Sequence, residues 1–529
     1  MMKKLIHFLN EKYSLLAQAS IILYLLCSFV TVTVLNFVPT AAQAARLVRY
    51  GLYGVIPVLC TARHLDHHEA YSLKEVVCCL AAFFKEHLLF GTVLTVSILN
   101  AVCSGSLIPL AIVLLLAAAA PLDVTRLLKM IFASQLAACA LTAALAFGGI
   151  IPDLVYSSAL GVFLHSLGYI YPLEMHSHIF FLFLLGVWLY RKHYGWLAFA
   201  AVTALNFAVF SFTVARTSFL MTEGAAVLML AAVKLPAGFR QKILGWKQFK
   251  TAAVCFVACM FVLPIAACLL YTDASPFWVK INSLMTSRLS LCKEALETWP
   301  VTLFGQKIAW LGSGGASPVY VWEAEYNFAD ISYVKDLLDY GIVTWLLTAG
   351  GYSWMMLHFA RLKDVCGLVC TAGILACSVM EPRLLSVSLN AFLLLLSTPL
   401  LYSNRKLCSW METQDPVWMA VKAMHPAGRA VFAAVILVLA GSAVWYLSVL
   451  NGYGARRMAV RQMNDERQAY QSRIMNYEKP EVEDPYQFAS QMARALKETR
   501  GSYEQLAETV PLGCLRSCYI EKQDFESLP

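Results

Sequence analysis

The sequence predicts an all-α integral membrane protein, a polytopic helical bundle of about 12–14 transmembrane helices with a large external loop. Three observations predict it. Hydrophobic residues make up 59% of the 529 residues and charged residues 14%, with a mean hydropathy of +0.63; soluble domains carry about 25% charged residues. The apolar residues fall in runs of roughly 17–25, long enough to cross a hydrocarbon core as a helix. The runs lack the strict alternation of a β-barrel strand, so a helix is the spanning element that satisfies its own backbone.

The elements follow in order. Met1 to Tyr13 is basic and leads into an apolar run over 15–37. Ala41-Ala42-Gln43-Ala44 has the look of a cleavage site. The run before it is too long for a signal core, which predicts an uncleaved first span. Further spans are expected at 44–62, 87–103, 106–121, 130–151, 177–190, 195–213, 217–233, 251–271, 338–358, 366–380, 385–402 and 430–450. Residues 152–176, with Gly161, Gly168, Tyr169, Tyr171 and Pro172, are too apolar for a free loop and too broken for a span. They read as a re-entrant or membrane-surface segment. Residues 272–337 form the large loop, with Trp278, Trp299, Trp310, Trp322 and seven carboxylates; a connection this long in a compact domain is usually functional. The chain divides into a transmembrane domain over 1–450 and a hydrophilic tail over 451–529.

Charge sets the expected orientation. With the N-terminus inside, 21 Lys and Arg fall in inside segments and 9 in outside ones, the bias of a cytoplasmic membrane protein. Topology thus accounts for the net charge of +8, and no basic stripe with interleaved aromatics points to nucleic acid. Most of the 16 Cys lie inside apolar runs and read as small core residues. Cys366 and Cys370 lie four apart in one apolar run, in no recognised ligand pattern, so no metal site is expected there. Cys514 and Cys518 could pair if the tail is exported.

On this topology the outward ionisable residues are few. Arg216 stands between two apolar runs. It is either a phosphate ligand, for which the guanidinium fork is suited, or an arginine reaching the outer headgroups. Arg288 leads an amphipathic stretch and is either a ligand or a solvated loop charge. Arg383 follows Glu381-Pro382 in a tight turn, where a salt bridge within the turn or loop is the plain alternative. Glu174, His176 and His178 follow Pro172 at alternate positions. Their spacing matches no zinc pattern, leaving a proton-relay or acceptor-binding role, or an interfacial polar cluster. Asp330 precedes an apolar run and is either a helix N-cap or a general base.

Four blocks in order resemble a known family. They are Gly149-Ile150-Ile151-Pro152-Asp153 with Ser166-Leu167-Gly168-Tyr169-Ile170-Tyr171-Pro172; Ala215-Arg216-Thr217-Ser218-Phe219-Leu220; Ser287-Arg288-Leu289 with Leu303-Phe304-Gly305; and Asp330-Ile331-Ser332-Tyr333 with Tyr340-Gly341. This set resembles the O-antigen and capsular polysaccharide polymerases (Wzy type) of the O-antigen ligase/polymerase superfamily. The blocks cover about 145–345, and the span pattern extends to about 402. His165 stands where the family often has Arg, and Ile331 where it has Asn. The ligases carry His where this chain has Asp330, which favours polymerase over ligase.

The resemblance implies a metal-independent glycosyltransferase of the bacterial cytoplasmic (inner) membrane, active on its outer face and needing no cofactor. Its donor and acceptor would be undecaprenyl-diphosphate-linked repeat units, joined into capsule, exopolysaccharide or O-antigen, with a chain-length regulator and a flippase as conceivable partners. Arg216 and Arg288 would hold the donor diphosphate, Asp330 or Glu174 would accept the proton, and Tyr333 would pack beside them. His165, His176, His178 and Arg383 complete the substrate-binding candidates. The alternatives are a ligase of the same fold, or a flippase or transporter of lipid-linked oligosaccharide. The latter class usually shows duplicated halves or broken helices at mid-membrane, and the sequence displays neither clearly.

Overall fold

The computed structural model describes residues 2–157, 163–234, 236, 238, 244–245, 248–310 and 328–401. The expected span 430–450, the tail with Cys514 and Cys518, and Trp322 lie outside these residues.

The described residues are mostly helical. In order run α1 (Met2–Glu11), α2 (Tyr13–Val30), α3 (Pro39–His67), α4 (Leu73–Glu86), α5 (Leu88–Ser104), α6 (Ile108–Ala119) and α7 (Val124–Phe147). A small antiparallel hairpin, β1 (Val155–Ser157) with β2 (Phe163–His165), follows. Then come α8 (Pro172–Tyr190), α9 (Trp196–Thr213), α10 (Arg216–Lys234), α11 (Phe249–Leu270), α12 (Pro276–Leu284), α13 (Arg288–Thr298), α14 (Ser332–Arg361) and α15 (Val365–Cys377). A 3-10 turn over Ala391–Leu396 runs into α16 (Ser397–Leu400).

Six helices, α2 and α7 to α11, are long and apolar enough to cross a membrane, and α4 with α5 forms a pair bent by 98°. The other expected spans fall on helices that are shorter, such as α6 and α15, or more polar, such as α3 and α14. The chain is thus a polytopic helical protein. Large apolar side chains such as Leu197, Leu205, Phe207 and Leu228 are exposed on α9 and α10. An apolar surface of this kind needs lipid to cover it.

Two helices form the centre. Nearly every residue of α6 is buried, and most of α8 as well; a helix apolar all round is stable only when surrounded. The boundaries carry local signals. Ser72 and Glu75 form a capping box on α4, Asp123 caps α7, and Asp364 caps α15.

Two expectations need correcting, at the start of span 177–190 and within 385–402. Span 177–190 begins earlier, because Pro172 fits the first helical turn and Tyr171 is extended. The segment before it is neither helical nor loose. Val34 N donates to Gly168 O (3.0 Å) and Ile170 N to Val32 O (3.1 Å), which ties it to the end of α2. Within 385–402, residues 385–390 are non-helical and continue the turn that begins at 378, and only 391–400 are helical.

The large loop docks onto the bundle through two glycines. α14 breaks at Gly341, whose φ is +76°. Gly305, with φ +84°, packs against the break, and a Cβ on either would collide with the other's backbone segment. Ile342 N donates to Thr302 O (2.9 Å) and Val343 N to Leu303 O (3.1 Å). Asn100 of α5 donates to Tyr340 O (2.8 Å), a carbonyl that a continuous helix would have used, and to Phe304 O (3.1 Å) of the docked loop.

Candidate functional site

One end of the bundle gathers the starts of α8, α10, α13 and α14 with the turn 378–390. Glu381 in that turn is fully buried. It accepts hydrogen bonds from Ser177 Oγ (2.5 Å) on α8 and from Ser218 Oγ on α10. Its carbonyl accepts from Ser332 Oγ of α14 (2.7 Å), and Ser332 Oγ in turn accepts from Leu384 N (3.1 Å). One residue therefore ties three helix starts to one turn. Burial pushes the Glu381 carboxyl up, against the pull of Arg383. In the sequence Glu381 shows only as the neighbour of Arg383, and its Glu-Pro step is the one local signal it carries.

Arg383 forms an ion pair with Glu174 in the first turn of α8. The side chains are mostly buried, 15% and 13% exposed. Its partner is thus across the bundle, and not Glu381 within its own turn.

Arg288 opens α13 and is held on a strained backbone. Thr286 and Ser287 both have positive φ, 51° and 62°; non-glycine residues there cost of order 1–3 kcal/mol each. Asn282 compensates: its Oδ1 accepts from Leu289 N (3.0 Å) and Ser290 N (3.2 Å), acting as a cap from the preceding helix. Arg288 Nη1 donates to Met285 O (3.1 Å) and to Thr286 Oγ1. Its Nε lies 3.6 Å from Asp330 Oδ2. Asp330 does not cap α14, whose N-cap position is Ile331; its carboxylate faces Arg288 instead. Tyr171 is nearby: burial and then the Asp330 carboxylate raise its phenol, while Arg288 opposes. Asn282 and Tyr171 were not assigned roles from sequence. Tyr171 sits inside the first of the four blocks, whereas an Asn in a polar loop carries no pattern.

The structure brings together Glu174 with Arg383 and Arg288 with Asp330, and separates other candidates from them. Residues of α8 turn by about 100° each, so Glu174, Ser177 and His178 share a side and His176 lies opposite. His176 Nε2 meets Asn206 Oδ1 (2.7 Å) and its Nδ1 meets Thr213 Oγ1 (3.1 Å), both on α9. His178 Nε2 meets Gln135 Oε1 of α7 (3.0 Å). The alternate spacing of Glu174, His176 and His178 thus does not make one cluster. His165 Nδ1 meets Asp153 Oδ2 (2.6 Å) inside the segment before α8. Tyr333 is fully buried and its hydroxyl donates to Leu375 O (2.6 Å), so it faces the core, not the Asp330 side. Arg216 is the first residue of α10, two residues from Ser218, at the same end of the bundle as Arg288. Its side chain is exposed and makes no hydrogen bond or ion pair among the described residues.

Three buried polar atoms in this region have no hydrogen-bond partner: Arg288 Nε, Arg383 Nε and Glu174 Oε2. Buried groups of this kind are costly unless something else satisfies them. The chain matches no family model, no curated protein and no solved structure.

Chemically, the region offers guanidinium donors that stay charged at any working pH, and Arg288 and Arg383 each have a carboxylate beside them. Such a set can hold an anionic group while a carboxylate takes up a proton. No group of three or more His, Cys, Asp and Glu suited to a metal ion occurs among the described residues.

Proposed function

We propose that the chain is a membrane glycosyltransferase that polymerises lipid-diphosphate-linked oligosaccharide repeat units into surface polysaccharide. The observation that carries the reading is the pair Arg288–Asp330 at 3.6 Å, set beside Tyr171 with Arg288 Nε unsatisfied. In this reading the hydroxyl of one repeat unit attacks the anomeric carbon of the donor glycan. The bond from that carbon to the diphosphate oxygen breaks, and its electron pair leaves with the diphosphate. Asp330 takes the hydroxyl proton. Arg288 and Arg216 neutralise the charge that develops on the leaving group, a role that needs no metal. Glu174 is the weaker candidate base, because Arg383 holds its carboxylate. The resemblance of the four sequence blocks, and Asp330 in place of the ligases' His, add to the polymerase reading. The protein would sit in the bacterial cytoplasmic membrane with this end outward, in line with the Lys and Arg bias.

The test is a deletion strain. Single-repeat lipid-linked glycan should accumulate and long surface chains should vanish on a gel. Full-length polymer left on its lipid carrier would point to the ligase, and an unchanged glycan profile would end the glycosyltransferase proposal.

A further inference from the structure

At the end of the bundle away from Arg288, α1, α3, α4, α5 and α6 enclose a cavity of about 500 Å³. Its walls are apolar, with Phe84, Phe90, Leu94 and Leu114 among them, and its rim carries Arg63, His64 and His67. α4 lies nearly perpendicular to α5 and buries none of its own residues. Leu73 and Val77 on it are 80% and 59% exposed. This is the posture of a helix lying in the membrane interface.

The rim is basic. The Arg63 guanidinium sits 4.9 Å over the Tyr13 ring and has no carboxylate partner among the described residues. The carboxylate one turn on, Asp66, is already engaged by Asn10, Tyr71 and His7. Imidazoles crowd the same place: His64 and His68 are 4.6 Å apart, and His64 lies 4.8 Å from Phe83. His87 stacks on the other side of that neighbourhood, 4.6 Å from Phe83, and its Nδ1 is buried with no hydrogen-bond partner.

We propose that this cavity seats one anionic glycerophospholipid, with an acyl chain in the apolar interior and its phosphate at Arg63 and His67. An apolar chamber open beside an interfacial helix suits an acyl chain. The Arg63 guanidinium, charged at any working pH and with no carboxylate partner among the described residues, suits a phosphate, with the His67 imidazole beside it as a further donor. The inference stands apart from the glycosyltransferase reading, since none of these residues belongs to that site.

The test uses the full-length protein in nanodiscs, with native mass spectrometry reading the lipid retained. The probes are phosphatidylglycerol and phosphatidylcholine. Phosphatidylglycerol should be held with a stoichiometry of one and at least about tenfold better than phosphatidylcholine. The Arg63→Ala/His67→Ala variant should lose about that preference, and Leu94→Trp, which fills the chamber without touching charge, should lose retention altogether. Arg126→Ala, an exposed charge elsewhere, should behave as wild type. Equal retention of the two lipids would overturn the proposal. So would a folded Leu94→Trp protein that keeps its phosphatidylglycerol, which decides the matter even if the double variant fails to fold.

Discussion

Arg383 pairs with Glu174 across 209 positions of sequence, joining the turn after α15 to the first turn of α8. Both side chains are mostly buried, so each keeps the other from standing as a lone charge. Removing one partner of a buried pair costs about 3–5 kcal/mol, while replacing both can be near neutral. Arg383→Ala and Glu174→Ala should therefore each lower the melting temperature strongly. Arg383→Met combined with Glu174→Leu should recover most of the loss. A thermal melt of the detergent-purified protein checks this. Independent, additive losses would mean that the two side chains do not act as a pair.

Arg288 presents a sharper case, because its backbone is strained and its Nε is unsatisfied. Arg288→Lys keeps a positive charge beside Asp330 but loses the fork that matches phosphate oxygens. The expected result is a protein that folds and inserts normally yet makes no polymer, a loss of at least about 100-fold. Gel analysis of surface glycan beside an immunoblot for the protein measures both. Normal polymer length in that variant would remove Arg288 from the mechanism. Asn282→Ala should reach the same region indirectly, lowering stability by about 1 kcal/mol through the lost cap and reducing, not abolishing, polymer.

The two glycines give a stability prediction free of any functional reading. Gly341 and Gly305 both have positive φ and meet backbone to backbone. Ala at either position adds a left-handed strain of about 1–2 kcal/mol to a steric clash with main chain that has no flexible end to move. Gly305→Ala and Gly341→Ala should each give little folded protein. Asn100→Leu should be milder, leaving two buried carbonyls without their donor at about 1–3 kcal/mol. Folded yield by size-exclusion chromatography ranks the three.

These residues also show what the sequence could and could not reveal. Apolar runs mark where chain can be buried, so the helical class and most helix positions are readable, but the start of α8 is set by the fixed φ of Pro172, which the apolar run alone does not show. Gly305 and Gly341 were each visible inside a motif. Their contact was not, because nothing local encodes which loop approaches which helix break. Direction was equally hidden: the sequence places Tyr333 beside Asp330, yet its hydroxyl turns to Leu375 in the core. His176 and Glu174 looked like neighbours at a spacing of two, and helical geometry parts them. Glu381 was overlooked because its meaning lies in Ser177 and Ser218, both far away in the chain.

Glu381 supplies the pH prediction. Burial raises its carboxyl above the ordinary value of 4.5 in the folded protein. A raised folded value means that the folded state binds the proton more tightly than the unfolded state does. The stability this contributes is fully present below pH 4.5 and is lost as pH rises toward and through the folded value. Glu381→Gln keeps a neutral group that can bond both Ser177 and Ser218, and it removes the titration. Relative to wild type, Glu381→Gln should be no more stable at pH 4 and should gain on it steadily as pH increases to 7. Melting temperatures of the two proteins across that range, in one detergent and at one ionic strength, measure the difference. Parallel curves would mean that Glu381 holds the same proton in both states, and that its two serines bind a carboxylate whose ionisation the fold leaves unchanged.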